Sequence, residues 1–502
     1  MFDPATLLTR NPWWTDRRAI ERDSHVMAWD QAKIQWVPRL SKRIEWDKDI
    51  IYVLRGPRQV GKTTLSKLKI RELLSGGVPP RAVFYWACDL VESPERLSDL
   101  IEGYLAFSHS EVGQRYLFLD EITSVKDWQR GVKSLYDRGS FKKCTLLLTG
   151  SHTIDLKKGA ETLAGRRGEV SRLEDRLPDK VLLPMKFSEY AESRSPELHS
   201  LIRDLDLLKS EGRHRMIAQI AHGKLPSEIE ECHLHLREIQ HCYGEYLITG
   251  GVPRPINLHA EEGRISRDVY ETYVELLVKD IQRWGGSDHI LRAVVRRAIE
   301  TLGSHVSLHN LREGTDVASH NTVASYLEYL KDAFLLQTSF RLDRSSGAPH
   351  YRGERKIQFG DPFLFHAVRW WSMGLASDPF EESLRYNREP QNLGLLSEGV
   401  VANHLARLLF SYYPSTHFDA TTLMCYSESR AKRELDFAVK LPDGYLPVEV
   451  KYQTRIRNED GFGILDFKKG GGSTKGILLT RSSLRTHGSY TEMPLPLFLL
   501  FV

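Results

Sequence analysis

The sequence predicts an α/β protein: a parallel sheet covered by helices on both faces, then a mostly helical middle, then a smaller α/β part. Three observations predict it. Between about residues 48 and 185 apolar strands alternate with amphipathic helices, the pattern of successive βαβ units. Residues from about 186 to 285 are mostly helical and charged, and short helices from about 286 to 380 lead into an Arg-rich hairpin. From about 385 onward a helix is followed by strands. The length of 502 residues exceeds what one hydrophobic core usually supports, so about three domains are expected.

Composition narrows the classes. Against 66 Asp plus Glu stand 70 Lys plus Arg, a net charge of +4. That is too small over this length to mark a nucleic-acid binder by itself, so any basic partner surface must be local. Five scattered cysteines suggest no extracellular disulfide framework. The start, MFDPATLLTRNPWW, lacks the charged lead and apolar core of a signal peptide. The run PLPLFLLFV is broken by proline and far short of the ~20 residues a membrane helix needs. A reducing cytoplasmic setting with no membrane partner is therefore expected. Tandem repeats and low-complexity tracts are absent.

Residues 1–47 read as a helical lead-in and 48–185 as a nucleotide-binding domain. In IYVLRGPRQVGKTTL a buried-type strand runs into Gly56; Pro57, Arg58, Gln59 and Val60 follow, and Gly61, Lys62, Thr63 and Thr64 open a helix. This is GxxxxGK[ST] in the strand-to-helix context the motif requires. The glycines let backbone N–H groups turn inward around phosphates, and the helix N-terminus adds favourable potential. Lys62 reaches the terminal phosphates and Thr63 offers a hydroxyl to Mg²⁺, so ATP and Mg²⁺ are the expected ligands. In YLFLDE, Tyr116 to Leu119 form a buried strand delivering Asp120 toward the magnesium and Glu121 toward the attacking water. LLLTGS is a further apolar strand bringing Thr149 and Ser151 to the same edge, where open α/β sheets bind ligands. LAGRRGEV supplies Arg166 and Arg167, either a source of the transition-state arginine, with Arg166 the choice, or a solvated loop.

With these words in place the chain resembles AAA+ P-loop ATPases of the archaeal and bacterial type with a long C-terminal extension. LRGPRQVGKTTL, FLDEITSVKDWQ, LLLTGS, LAGRR and YLITGGVPRP carry the resemblance. It implies an AAA+ nucleotide domain and self-association into a ring, often hexameric. It does not identify the substrate, because this fold drives unrelated tasks.

Residues 186–285 read as a helical lid or linker. Its CHLHLREIQHC holds Cys232, His235, His241 and Cys242, but not at a familiar zinc spacing, and reads as one amphipathic helix. Over 286–380, DHILRAVVRRAIETL, SLHNLREG and SHNTVASYLEYLKDAFLL give three helices, the last capped by Ser319, followed by the strand LLQTSFRL. That order resembles a winged helix-turn-helix. On DNA its third helix would present His320, Asn321, Thr322 and Ser325; winged helices also serve as protein–protein modules. The hairpin RLDRSSGAPHYRGERK holds five Arg or Lys against two acids, a local net of +3 suited to phosphate or to a solvated face.

Residues 385–502 contain RELDFAVKLPDGYLPVEVKY. An Asp443-Gly444 turn would set Asp436 opposite Lys451 and Ala438 opposite Glu449. Asp436, Glu449 and Lys451 then share one face, and Leu435, Phe437, Val439, Val448 and Val450 the other. Two adjacent carboxylates with a nearby ammonium suit a divalent metal, and Glu398 on LLSEGVVANHLARLLF would be a fourth contributor. Pro447 inside the second strand predicts a sheet edge or a bulge. The constellation Glu398, Asp436, Glu449, Lys451 resembles the restriction-endonuclease-like PD-(D/E)xK fold. It implies either metal-dependent cutting or a DNA grip without cutting; the bland alternative is a solvated strand face.

The leading expectation is an ATP-hydrolysing machine acting on DNA, with Arg455, Arg457, Lys468 and Lys469 among the DNA-holding residues. The alternatives are an ATP-licensed nuclease and a nucleotide switch that binds a protein partner.

Overall fold

A computed structural model describes residues 4–108, 113–205, 207, 209–415, 418–469 and 474–502. The chain divides into two compact units, Met1–Leu183 and Pro184–Val502.

In the first unit the apolar runs become strands β1 (Ile51–Arg55), β2 (Val83–Ala87), β3 (Arg115–Asp120), β4 (Cys144–Thr149) and β5 (Asp179–Val181). All pair in parallel, in the order β2-β3-β4-β1-β5. β1 and β4 are buried along their whole length, as strands covered by helices on both faces must be. The order places β1 between β4 and β5, so the loop after β1 opens beside the ends of β4 and β3. Helix Lys62–Ser75 follows that loop, and Pro94–Phe107, Trp128–Asp137 and Thr153–Thr162 are the other long helices.

The lead-in is part of this core. After helix Pro4–Arg10 come short 3₁₀ turns and helix Ser24–Gln31. Trp13 and Trp14 both aim their indole N–H at the Val83 carbonyl, at 3.0 and 2.9 Å, and Asn11 Oδ1 accepts from Tyr85 N at 2.8 Å. These groups satisfy the open side of edge strand β2, which would otherwise offer a pairing template. Trp14 also stacks with Tyr104 and Phe107, at centroid distances of 5.9 and 5.2 Å.

The second unit begins with helices from Phe187–Arg194 to Arg267–Arg283. Helices Asp288–Glu300, Leu308–Arg312 and His320–Asp332 follow, with Ser319 Oγ accepting from Thr322 N as the cap requires. β6 (Leu336–Phe340) pairs antiparallel with β9 (Arg355–Phe359), and between them β7 (Leu342–Asp343) pairs with β8 (Ala348–Pro349). The long helix Pro390–Tyr412 packs on β9 and on the last sheet. That sheet contains β10 (Met424–Glu428), β11 (Glu434–Leu441), β12 (Gly444–Val450), β13 (Gly476–Thr480), β14 (Arg485–Thr486) and β15 (Tyr490–Pro494). Its order is β10-β11-β12-β13-β15-β14, antiparallel at both ends and parallel in the middle.

Three local expectations are corrected. The turn of the β11–β12 hairpin is Pro442-Asp443, with Leu441 opposite Gly444 and Phe437 opposite Val448. Proline's fixed φ suits the first turn position, and Gly444, at φ 129°, starts the returning strand. The register thus differs by two residues from the Asp443-Gly444 expectation, which puts Asp436 level with Glu449; an even shift keeps the same side chains on the same face. Second, β12 is interior rather than at an edge. Its ladder with β13 begins at Val448, just past Pro447, which has no N–H to give. Third, CHLHLREIQHC is not one helix: it breaks at His235 between Ser227–Leu234 and Leu236–Thr249, and the His235 ring pairs with Glu197.

The run PLPLFLLFV is core: Leu495 to Val502 are buried, and the segment packs against helix Leu236–Thr249. No helix among the described residues is long and apolar enough to cross a membrane.

Candidate functional site

Gly56 ends β1 where a side chain cannot follow: a Cβ there would lie 2.1 Å from the Leu182 carbonyl oxygen. Gly61 caps helix Lys62–Ser75 at φ 101°, and Gln59 also takes a positive φ, so the loop Gly56-Pro57-Arg58-Gln59-Val60-Gly61 curls over the helix N-terminus. Lys62 Nζ donates to the Gly56 and Pro57 carbonyls at 2.9 and 2.8 Å, lying across the mouth of the loop.

Asp120, at the end of β3, is the hub of the first unit's polar cluster. Its Oδ2 accepts from Thr63 Oγ1 at 2.7 Å and from the Tyr85 hydroxyl at 3.0 Å; its Oδ1 accepts from Thr149 Oγ1 and from Glu121 N. The ends of β3 and β4, the middle of β2 and the helix start therefore meet at one carboxylate; of these, Tyr85 lies outside the residues the sequence words single out. Glu121 stands beside it in a left-handed conformation, φ 49°, and its Oε2 accepts from Ser151 N at 3.0 Å. That bond ties the β3 and β4 ends together and fixes the direction of the Glu121 carboxylate. Thr64 continues the helix one residue beyond Thr63.

Tyr85 was not legible as a site residue. It sits in the apolar strand VFYWA, yet its ring lies 3.4 Å from Lys67 Nζ while its hydroxyl holds Asp120. Burial, then the neighbouring Asp120, pushes the Tyr85 hydroxyl well above the ordinary tyrosine range, so it stays a donor. Lys67 is itself buried and paired with Asp23 of the lead-in at 3.0 Å.

A hydroxyl and a carboxylate oxygen brought to 2.7 Å from two different elements are the hard donors magnesium takes, and the curled loop with its lysine suits a polyphosphate. The residues present fit ATP and Mg²⁺. The two arginines of LAGRR separate. Arg167 is buried in an ion pair with Asp179, holding β5 beside β1, which makes it structural. Arg166 lies on a partly exposed segment with Nε donating to Asp137 at 2.7 Å.

The second unit assembles the C-terminal constellation and enlarges it. Asp436 N donates to Glu449 Oε2 at 3.2 Å, Asp436 Oδ2 accepts from Val450 N at 2.9 Å, and Lys451 Nζ lies 2.5 Å from Glu449 Oε1. Glu398, on helix Pro390–Tyr412, closes the group through a residue the sequence reading did not assign to it. Lys356 of β9 places Nζ 3.0 Å from Glu398, 2.5 Å from Glu434 and 2.9 Å from Asp436. Glu434 also faces His305 at 3.2 Å. A lysine in the alternating strand RKIQF reads as solvent-facing; only the fold shows it turned inward.

The electrostatics follow from burial and these neighbours. Burial works against the Lys356 ammonium, but Asp436, Glu398 and Glu434 together hold it well above the ordinary range. Burial raises Glu398, with Lys356 pulling the other way. Burial would raise Asp436, yet Lys356 and Lys451 hold it below the usual carboxylate range. Glu449 is pushed up to about 8 by burial and by Asp436. The metal expected here fits poorly, since an ammonium already bridges Glu398 and Asp436. Among the described residues no group of three or more His, Cys, Asp and Glu side chains is arranged to hold a metal ion. The same holds for Cys232, His235, His241 and Cys242; both cysteines are buried and free.

The second unit also holds a cleft of about 670 Å³ lined by Arg341, Arg344 and His350 of the β7–β8 hairpin region, Arg430 of the β10–β11 loop, and Lys469, together with Asp343, Glu428 and Asp466. Of the residues expected to face DNA, Arg455 and Lys469 are exposed, Arg457 is turned to Glu459, and Lys468 reaches the Ser489 carbonyl. His320, Asn321 and Ser325 are exposed on their helix and Thr322 is half-buried.

Residues 48–191 match the family model of an AAA domain, and residues 240–375 that of a domain of unknown function. An uncharacterized protein of Methanocaldococcus jannaschii is 23% identical over 351 residues, which is 68% of this chain and 66% of that protein's length. Among solved structures, the Aeropyrum pernix Orc1 protein in complex with DNA is 16% identical, covering 74% of this chain and 94% of its own, with a TM-score of 0.29. A RuvB variant of Thermotoga maritima gives 18%, 68%, 92% and 0.23; Cdc6p from Pyrobaculum aerophilum gives 12%, 74%, 96% and 0.21. With its five-stranded parallel sheet and this family match, the first unit has the fold of an AAA+ P-loop ATPase domain.

Proposed function

We propose that this chain hydrolyses ATP in its first unit and uses the nucleotide state to control how its second unit holds DNA. The observation that carries the ATPase reading is the convergence of Thr63, Tyr85, Thr149 and Glu121 N on the Asp120 carboxylate, with Glu121 aimed by Ser151. Lys62 leaves its two loop carbonyls for the β- and γ-phosphates when ATP enters. Thr63 and Asp120 would hold Mg²⁺, which when bound would supply charge neutralisation for the phosphates. Tyr85 and Thr149 hold the Asp120 carboxylate pointed at Thr63. Glu121 orients the attacking water and takes its proton, and Ser151 holds that carboxylate in place. Arg166, partly exposed and held by Asp137, suits a contact with a neighbouring subunit's nucleotide in a ring, hexameric in the resemblance.

The DNA reading is supported by the cleft with Arg341, Arg344, His350, Arg430 and Lys469 on its walls. Four Arg and Lys side chains there stand against three acids, Asp343, Glu428 and Asp466, a local net of +1 concentrated on one cleft, with Arg344 and Arg430 outside the Arg341–Glu428 and Lys469–Asp466 pairs. Lys451, half-buried, and Arg455, exposed, follow β12 as further cations, and helix His320–Asp332 adds a polar face suited to a groove contact. On this reading residues 286–380 act as a winged helix and 385–502 as an endonuclease-like module, with Lys356 contributed from before residue 385. The test is duplex binding over a salt series. Reversing Arg430 and Arg341 to Glu should weaken binding and lower the salt slope by about one per lost phosphate contact, whereas Lys62→Ala should leave the apo affinity unchanged. Equal affinity in all three proteins rejects the DNA reading.

A further inference from the structure

Four carboxyl side chains of the second unit, Glu398, Glu434, Asp436 and Glu449, converge from one helix and two strands, and such a cluster is stable only with protons or cations among them. A divalent cation is one solution and an ammonium another. Lys356 Nζ stands 3.0, 2.5 and 2.9 Å from Glu398, Glu434 and Asp436, and its side chain is 3% exposed. Three acceptors match the three donors of an ammonium group. A divalent ion bound to the same oxygens would sit roughly 2.0–2.6 Å from each, which is the volume Nζ already fills, and the two like charges would repel. The fourth carboxylate, Glu449, is engaged by Lys451 Nζ and by Asp436 N.

We infer that Lys356 is the resident cation of this centre, standing where an endonuclease-like site would hold a divalent metal, and that the centre takes neither Mg²⁺ nor Mn²⁺ while Lys356 is in place. A centre so occupied lacks metal activation of water for phosphodiester hydrolysis. Lys356 instead ties β9 to helix Pro390–Tyr412 and to the β11–β12 hairpin, while Lys451, at the more open end, and the basic cleft remain for phosphate. The inference rests on reading the centre as endonuclease-like, but its test involves neither DNA nor ATP, so its failure would leave the DNA reading standing.

The experiment is Mn²⁺ binding to the full chain without nucleotide, followed by electron paramagnetic resonance of the free ion. Wild type and Asp436→Asn should bind the same number of ions. Lys356→Met should bind one more, and Lys356→Met/Asp436→Asn should lose it again. One ion fewer in Asp436→Asn than in wild type overturns the inference. So does a Lys356→Met protein that keeps its circular dichroism and thermal transition yet gains no ion. If Lys356→Met does not fold, the comparison of wild type with Asp436→Asn decides alone.

Discussion

Lys62 and Glu121 occupy one cluster but serve different parts of the proposed reaction, and their variants should separate. Lys62→Ala removes the ammonium that lies on the Gly56 and Pro57 carbonyls of the loop, so ATP binding itself should be lost, as read by a fluorescent nucleotide. Glu121→Gln keeps the bond to Ser151 N and the loop intact, so binding should persist while kcat falls about 100-fold or more. Loss of binding in Glu121→Gln would show that the residue is structural. A second residue-scale consequence is a pH dependence set by Glu449. Its carboxyl is held up to about 8 in the folded protein against 4.5 for the free side chain. Between those values the native state keeps a proton that the unfolded chain has released, so stability falls as pH rises through the window. Denaturant midpoints should decline between about pH 5 and 8 in the wild type, and decline less in Glu449→Gln. Identical profiles would contradict the assignment.

Elements show which parts of the fold could be read from the chain and which could not. The P-loop, β3 and β4 were legible because each carries its chemistry at its own end: the residues that meet at Asp120 lie within a few positions of an apolar run. The β11–β12 hairpin was legible in its faces but not in its turn, because alternation fixes parity while Pro442 and Gly444 compete to set the reversal. Tyr85 and Lys356 were not legible. Each is a polar residue in a strand whose partners lie 35 residues away for Tyr85 and Asp120, and 80 for Lys356 and Asp436. No local pattern encodes such pairings. The lead-in reads as helical, but nothing in MFDPATLLTRNPWW announces that both indoles serve the edge of β2. Trp13→Ala should therefore destabilise the first unit by about 3–5 kcal/mol, as a buried Trp truncation does, measured by chemical denaturation. A change near zero would mean that the lead-in merely rests on the core.

At the scale of the whole molecule, the chain joins an ATPase fold to a unit whose positive surface is local rather than global. The first unit's chemistry turns on a single carboxylate served by three strands and a helix start, and the second unit's on a lysine shared among three carboxylates. The two centres have different electrostatic designs. Asp120 is held by three hydroxyls and a backbone N–H, neutral partners only, while Asp436 is paired with an ammonium. The proposed division of labour follows: turnover in one unit, grip in the other, and ATP state as the link. The most direct measurement is the steady-state ATPase rate with and without duplex DNA across a salt series, for wild type and for Arg430→Glu. The account predicts a rate that DNA raises, a stimulation that fades with salt, and an Arg430→Glu protein that keeps its basal rate but needs more DNA for the same effect. A rate indifferent to DNA at every salt concentration would contradict it.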